Sequence, residues 1–142
     1  MSEPCMYCEE TEKLHSLMFR VGELDHSILY LMKDQKFRGR CVLAAKKHYD
    51  EMYEMPAEER NGFFADLAKA SKAIAEIFKP GKINLGAYGD LVKHFHVHIV
   101  PKYEGGLQWG AFVWDKDVPV VHLEQEEYDA MIQELKAKLN IA

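Results

Sequence analysis

The segment His94-Phe95-His96-Val97-His98-Ile99-Val100-Pro101 constrains this chain more than any other feature of its sequence. Side chains alternate between the two faces of a β-strand. The segment therefore predicts a strand, His94 to Tyr103, with Phe95, Val97 and Ile99 on a core-facing side. His94, His96 and His98 share the other side, which is expected to look into a cleft or solvent, because unpaired imidazoles are costly to bury. Same-face positions are ~6.7 Å apart, so His94 and His98 are separated by ~13 Å at the backbone. A zinc ion wants each ligand nitrogen at about 2.0–2.1 Å. Two neighbours can converge on one ion, but three in line would have to lean hard inward, and a division of labour fits the spacing better. A largely neutral imidazole can attack phosphorus without prior activation. Neighbouring imidazole and backbone donors can stabilise the equatorial oxygens. The middle histidine, His96, has a partner on either side and is the natural nucleophile.

The rest of the chain reads as α+β in one domain, residues 1–142. A weak helical pattern covers Glu9 to Met18, and Lys47 to Met55 reads as a short turn or helix. Compact apolar runs at Ser27–Met32 and Arg40–Ala45 have strand length. From Ala57 to Lys79, Phe63, Phe64, Leu67, Ala70, Ile74, Ile77 and Phe78 recur at helical steps, and Pro80-Gly81 ends the pattern. Ile83 to Ala87 reads as a strand, Gly86 to Asp90 as a turn, and Phe112-Val113-Trp114 as a further short strand. Leu123 to Leu139 closes the chain as an amphipathic helix. Strands and helices do not alternate regularly, which favours an antiparallel sheet over a doubly wound parallel one. Neither Gly-rich phosphate-loop pattern is present.

The formal charge of −5 argues against a protein that tracks nucleic-acid backbone, which needs a basic footprint. A small anionic ligand remains compatible with a locally favourable pocket. No run approaches a membrane span, and Met1-Ser2-Glu3-Pro4-Cys5 lacks the pattern of a signal peptide. The expected compartment is the cytoplasm, where thiols stay reduced. There the Cys5-x-x-Cys8 pair reads as half of a metal site or as a redox motif. Cys41, in an apolar run, reads as a small buried hydrophobe. His15, His26 and His122 read as surface residues, and Trp109 and Trp114 as anchors for the C-terminal segment.

The alternating segment matches the His-x-His-x-His-x-x motif, with apolar x, of the histidine-triad (HIT) family of nucleotide hydrolases and transferases. The early C-x-x-C, the strand into Ala44-Ala45-Lys46-Lys47-His48, the long helix, Asn84 and Pro101-Lys102-Tyr103 fall in that family's order. The resemblance implies an antiparallel sheet flanked by a long central helix and a C-terminal helix, usually paired into a homodimer. It also implies a small nucleotide substrate, with His96 as nucleophile, His98 as a phosphate ligand and Asn84 lining the site. Many bacterial members bind zinc through residues matching Cys5, Cys8, His48 and His94. The expected cofactor is therefore one structural zinc ion in a Cys₂His₂ set.

Three positions depart from the family pattern. Where many members carry a ribose-binding Asp, this chain has Met32, with Asp34 two residues on. Where the family reads Gly-Gln-Ser or Gly-Gln-Thr before the triad, this chain has Gly89-Asp90-Leu91 in a loop one residue shorter. Gly89 and Asp90 thus hold the nucleotide-binding positions, but Leu91 cannot donate a hydrogen bond and Asp90 brings like charge toward phosphate. The alternative these positions favour is a catalytically weak nucleotide- or zinc-binding module that kept the fold.

Overall fold

Five strands pair into one antiparallel sheet, and their register decides which residues share a face. The computed structural model describes residues 4–142; Met1 to Glu3, read above against a signal peptide, lie outside the described residues. The strands are β1 (Met18–Glu23), β2 (Ser27–Met32), β3 (Cys41–Ala45), β4 (Lys82–Gly86) and β5 (His96–Lys102), in spatial order β1-β2-β3-β5-β4. Directly opposed residues point the same way across an antiparallel pair. Ala44 pairs with His96 and Val42 with His98, so Tyr30, Val42, Ala44, His96 and His98 stand on one face.

The opposite face carries Leu29, Leu31, Cys41, Leu43, Val97 and Ile99, all buried. Two long helices cover it. Helix α3 (Ala57–Phe78) inserts Phe63, Leu67, Ala70 and Ile74; helix α4 (Gln125–Leu139) inserts Tyr128, Met131 and Leu135. Burying such side chains is worth about 1.5–3 kcal/mol each, which makes this layer the main source of stability. One buried polar contact registers α3 against the sheet. Asp66 accepts from the His26 N–H at 2.8 Å and the Ser27 hydroxyl at 2.6 Å, fixing the turn that opens β2. Among the described residues no helix is long and apolar enough to cross a membrane.

The histidine face is covered by less. Two short N-terminal helices, α1 (Met6–Glu9) and α2 (Glu12–Leu17), place Met6, Tyr7 and Leu14 against Met18, Tyr30, Val42 and Ala44. Residues 103–124 run as a coil strap from the end of β5 toward the β2–β3 loop. There the Gln35 N–H donates to the Val121 carbonyl at 2.8 Å.

Four features differ from the sequence expectation. The helix expected over Glu9–Met18 is two helices, because Glu10 adopts a left-handed conformation (φ 45°) that ends α1, and Thr11 caps the start of α2. Strand β1 was not foreseen: a bulge between Arg20 and Gly22 buries neighbouring Val21 and Gly22 and breaks the alternation. Strand β5 begins at His96, because the Phe95 N–H leaves the ladder and donates to Tyr49 at 2.7 Å. Phe112-Val113-Trp114 forms no strand; the Gln108 side-chain amide takes both the N–H and the carbonyl of Trp114, at 2.9 Å each.

Candidate functional site

His94 lies in a bend two residues before β5, so the three histidines do not form one continuous strand face. His98 is half-buried, while His94 and His96 are buried rather than facing solvent, at 1% and 8% exposed. The side chain that covers them is Tyr7, between the two cysteines on α1. Its ring centroid lies 5.4 Å from that of His94 and 4.9 Å from that of His96. Burial among these groups pulls the affinity of both imidazoles for a proton below the ordinary range, against the opposing pull of a backbone carbonyl at each.

Hydrogen bonds fix which ring nitrogen is bare. His94 donates from Nε2 to the Ala45 carbonyl at 2.7 Å, and His48 donates from Nε2 to Asp50 Oδ1 at 3.2 Å. A carbonyl and a carboxylate can only accept, so both Nδ1 atoms present lone pairs. These two lone pairs point at each other across 3.3 Å. Cys5 Sγ lies 3.3 Å from His94 Nδ1, and Cys8 Sγ lies 3.4 Å from His94 Nδ1 and 3.6 Å from His48 Nδ1. All four donor atoms fall within 4.8 Å of one another. Converging lone pairs repel unless a cation sits between them. Ordinary zinc–ligand distances in a tetrahedron give edges of about 3.3 Å between nitrogens and about 3.6 Å between nitrogen and sulfur. The donor set fits that ion. Burial, with Cys5 beside it, pushes the Cys8 thiol up to about 11, a cost that a bound cation reverses. A broad groove of ≈ 960 Å³ opens beside this cluster, lined by Cys5, His48, Asp50, Leu91 and Lys93 among others.

His96 donates from Nδ1 to the His94 carbonyl at 2.6 Å, which leaves its Nε2 lone pair available for attack. The ring of His98 stands edge-on to it, with centroids 5.5 Å apart. Burial, then the Arg40 guanidinium, push the His98 imidazole down to about 3, against the opposing charge of Asp115. A small cavity of ≈ 80 Å³ adjoins His98, lined by Arg40, Asn84, Gly86, Tyr88 and Phe112 among others.

Not every residue read from the sequence meets at this cavity. Asn84 and His98 line it. Gly89, in a left-handed turn (φ 80°), and the exposed Asp90 and Leu91 do not; Leu91 is 98% exposed on the side of the four-donor cluster. Asp34 pairs with Lys36 and accepts from the Val121 N–H. Cys41 is fully buried, His15 and His122 are exposed, and His26 is half-buried against Gly62 of α3. Trp109 packs over Gly81. Sequence reasoning missed Tyr7, Arg40 and Asp115. Only Tyr7 carried a signal, as the aromatic between two metal-spaced cysteines.

Comparison with known proteins agrees with this architecture. The chain is 31% identical over 100 residues to the protein hit of Bacillus subtilis, covering 67% of this chain and 68% of that one. A histidine triad protein from Marinobacter aquaeolei superposes with a TM-score of 0.83 at 25% identity, covering 93% of this chain and 96% of that one. A zinc-bound histidine triad family protein from Mycobacterium smegmatis has a TM-score of 0.67 at 21% identity, covering 96% and 93%. The family model for the HIT domain matches residues 14–105, well over half of the sequence, and the chain belongs to that family.

Proposed function

We propose that the protein is a cytoplasmic nucleotide hydrolase or nucleotidyl transferase. Its substrates are phosphoramidate or polyphosphate-linked nucleotides, and it works through a covalent nucleotidyl-histidine on His96. One observation carries the reading: the His94 carbonyl holds the His96 proton on Nδ1 at 2.6 Å, so the lone pair of Nε2 is the one free to react. In the first step that lone pair forms a bond to phosphorus. The bond from phosphorus to the leaving group breaks, and the leaving group departs with its electron pair and takes up a proton. In the second step water, or another hydroxyl acceptor, attacks phosphorus and gives up its proton to solvent, while the N–P bond breaks and returns its electrons to His96. His98 donates to the phosphoryl oxygens, with Asn84 as a further nucleotide contact; Gly89 and Asp90, expected as contacts from the sequence, stand outside this cavity. Membership of the HIT family supports a hydrolase or transferase of this kind.

The same proposal places one zinc ion in the Cys5, Cys8, His48 and His94 set. Four protein ligands close the coordination sphere, so the ion supplies a crosslink between α1, the segment after β3 and the entry to β5. The zinc-bound relative supports it. A homodimer is also proposed; β4 is an edge strand whose Leu85 is 54% exposed, and Phe112 is 91% exposed. Sedimentation at micromolar concentration checks it, and a monomer mass would remove it.

A second reading, a binding module with little turnover, draws on the strap. The cavity at His98 is ≈ 80 Å³, against about 300–1,000 Å³ for typical ligand pockets, and the Asp115 carboxylate sits at its Arg40 wall. Stopped-flow hydrolysis of a chromogenic nucleotide ester separates the two. Double displacement through His96 gives a burst of leaving group stoichiometric with enzyme; nucleotide binding without release identifies the module.

A further inference from the structure

Arg40 closes the loop before β3 and points its guanidinium under the histidine face, with its side chain 6% exposed. Nη1 donates to Asp115 Oδ1 at 2.9 Å, and Nη2 reaches His98 Nδ1 at 3.1 Å. Asp115 arrives from the strap, and burial, which pushes its carboxyl up, is outweighed by Arg40 and Lys36, which hold it below the usual carboxylate range. Lys36, 3% exposed, bonds both Asp115 and Asp34, so two buried cations share two carboxylates. The charges balance, which is what the two buried cations require, and the cluster opens to solvent at Asp115, whose side chain is 55% exposed. Nη2 also reaches Asp115 Oδ2 at 3.4 Å, so this arm of the Arg40 fork is shared between the carboxylate and the closer imidazole.

A guanidinium has five donors and no acceptor. His98 Nδ1 must therefore present its lone pair to Arg40, and a neutral ring then carries its proton on Nε2. Burial, Arg40 and His96 together favour a neutral His98 ring over the opposing pull of Asp115. Arg40 stands on one side, His96 on the same strand and Tyr88 from the turn after β4, while Asp115 supplies the opposing charge beyond Arg40. We propose that Arg40, braced by Asp115, is a positioning residue. It holds His98 in the tautomer whose Nε2–H is free to donate to an anion in the cavity lined by Asn84, Gly86 and Tyr88. The consequence is a phosphate-facing donor that does not switch with pH over the physiological range, and a strap that is mechanically tied to it. The use of that donor rests on the phosphate-transfer reading above; the tautomer is a property of the free protein.

Long-range ¹H–¹⁵N correlation spectra of the full-length labelled protein test this, because they distinguish a bare ring nitrogen from a protonated one. In the wild type, His98 shows a bare Nδ1 and a protonated Nε2, unchanged from about pH 8 to about pH 5. Arg40→Met gives mixed tautomers and raises the His98 midpoint by about one pH unit or more. Arg40→Gln, which keeps a donor without charge, retains the tautomer but raises the midpoint; Arg40→Lys keeps most of both. A wild-type His98 protonated on Nδ1, or an Arg40→Met spectrum indistinguishable from wild type, overturns the proposal. If Arg40→Met does not fold, the wild-type spectrum still decides the tautomer, and Asp115→Asn, which loosens the brace, replaces it. Absence of turnover leaves these spectra untouched, so failure of the functional reading and failure of this one are read separately.

Discussion

His94 Nε2, His96 Nδ1 and His98 Nδ1 are each committed to a fixed partner, respectively the Ala45 carbonyl, the His94 carbonyl and Arg40. The nitrogen left over on each ring then has a distinct chemistry: a lone pair toward the cysteines, a lone pair for attack, and an N–H for an anion. Three residues of one type are differentiated by their partners alone. Substitutions should therefore separate by kind. His96→Ala should lower turnover about a thousandfold or more without loss of fold, since a nucleophile has no substitute. His98→Ala should lower it about a hundredfold, the usual effect of losing one transition-state donor. Equal effects of the two in steady-state assays would contradict the division. The triad and the cysteine pair were legible because their spacing is itself the signal. Arg40 and Asp115 were not: Arg40 stands at the start of an apolar run and Asp115 75 residues downstream, and only the fold brings them to His98.

Helix α1 is four residues long, far below the length at which a helix is stable alone, and with its N-cap residue Cys5 it holds both thiols of the four-donor cluster. Its place depends on Tyr7 packing over the histidines and on what joins Cys5 and Cys8 to His48 and His94. Elemental analysis of protein purified without chelator should find one zinc per chain. Cys8→Ser should lose the metal and several kcal/mol of unfolding free energy, because site formation and folding are coupled. Metal-free protein with unchanged melting would remove this claim. At this scale the sequence was informative where periodicity was clean, as in α3 and α4, or where a compact apolar run had strand length, as in β2 and β3. It failed at β1, whose bulge hides the alternation, and at the start of β5, where Phe95 pairs with Tyr49 instead of a strand. The strap is illegible for another reason: its hydrogen bonds go to single side chains such as Gln108, Lys36 and Lys102, which leave no period.

At the scale of the molecule, one sheet separates two unequal layers: a thick helical core on one face, and on the other a thinner layer that combines a small apolar cluster with the histidines and their partners. Acid should act through the thin layer. His98 is held down to about 3 in the folded protein, while in the unfolded chain it takes a proton near its ordinary 6.5. Below that value the unfolded state binds a proton the native state refuses, so the contribution is complete above about pH 6.5 and drains as pH falls. The slope reaches about 1.4 kcal/mol per pH unit. Denaturant titrations from pH 7 to pH 5 should show stability falling, and His98→Gln should flatten the decline; an identical slope in the variant would contradict it. The central claim concerns His96 and is tested most directly by mass. Protein mixed with an adenosine phosphoramidate and quenched in the first turnover should carry one added nucleoside monophosphate, mapped to the peptide containing His96 and missing in His96→Ala. Full turnover by His96→Ala, or an adduct that maps to another residue, would contradict the account.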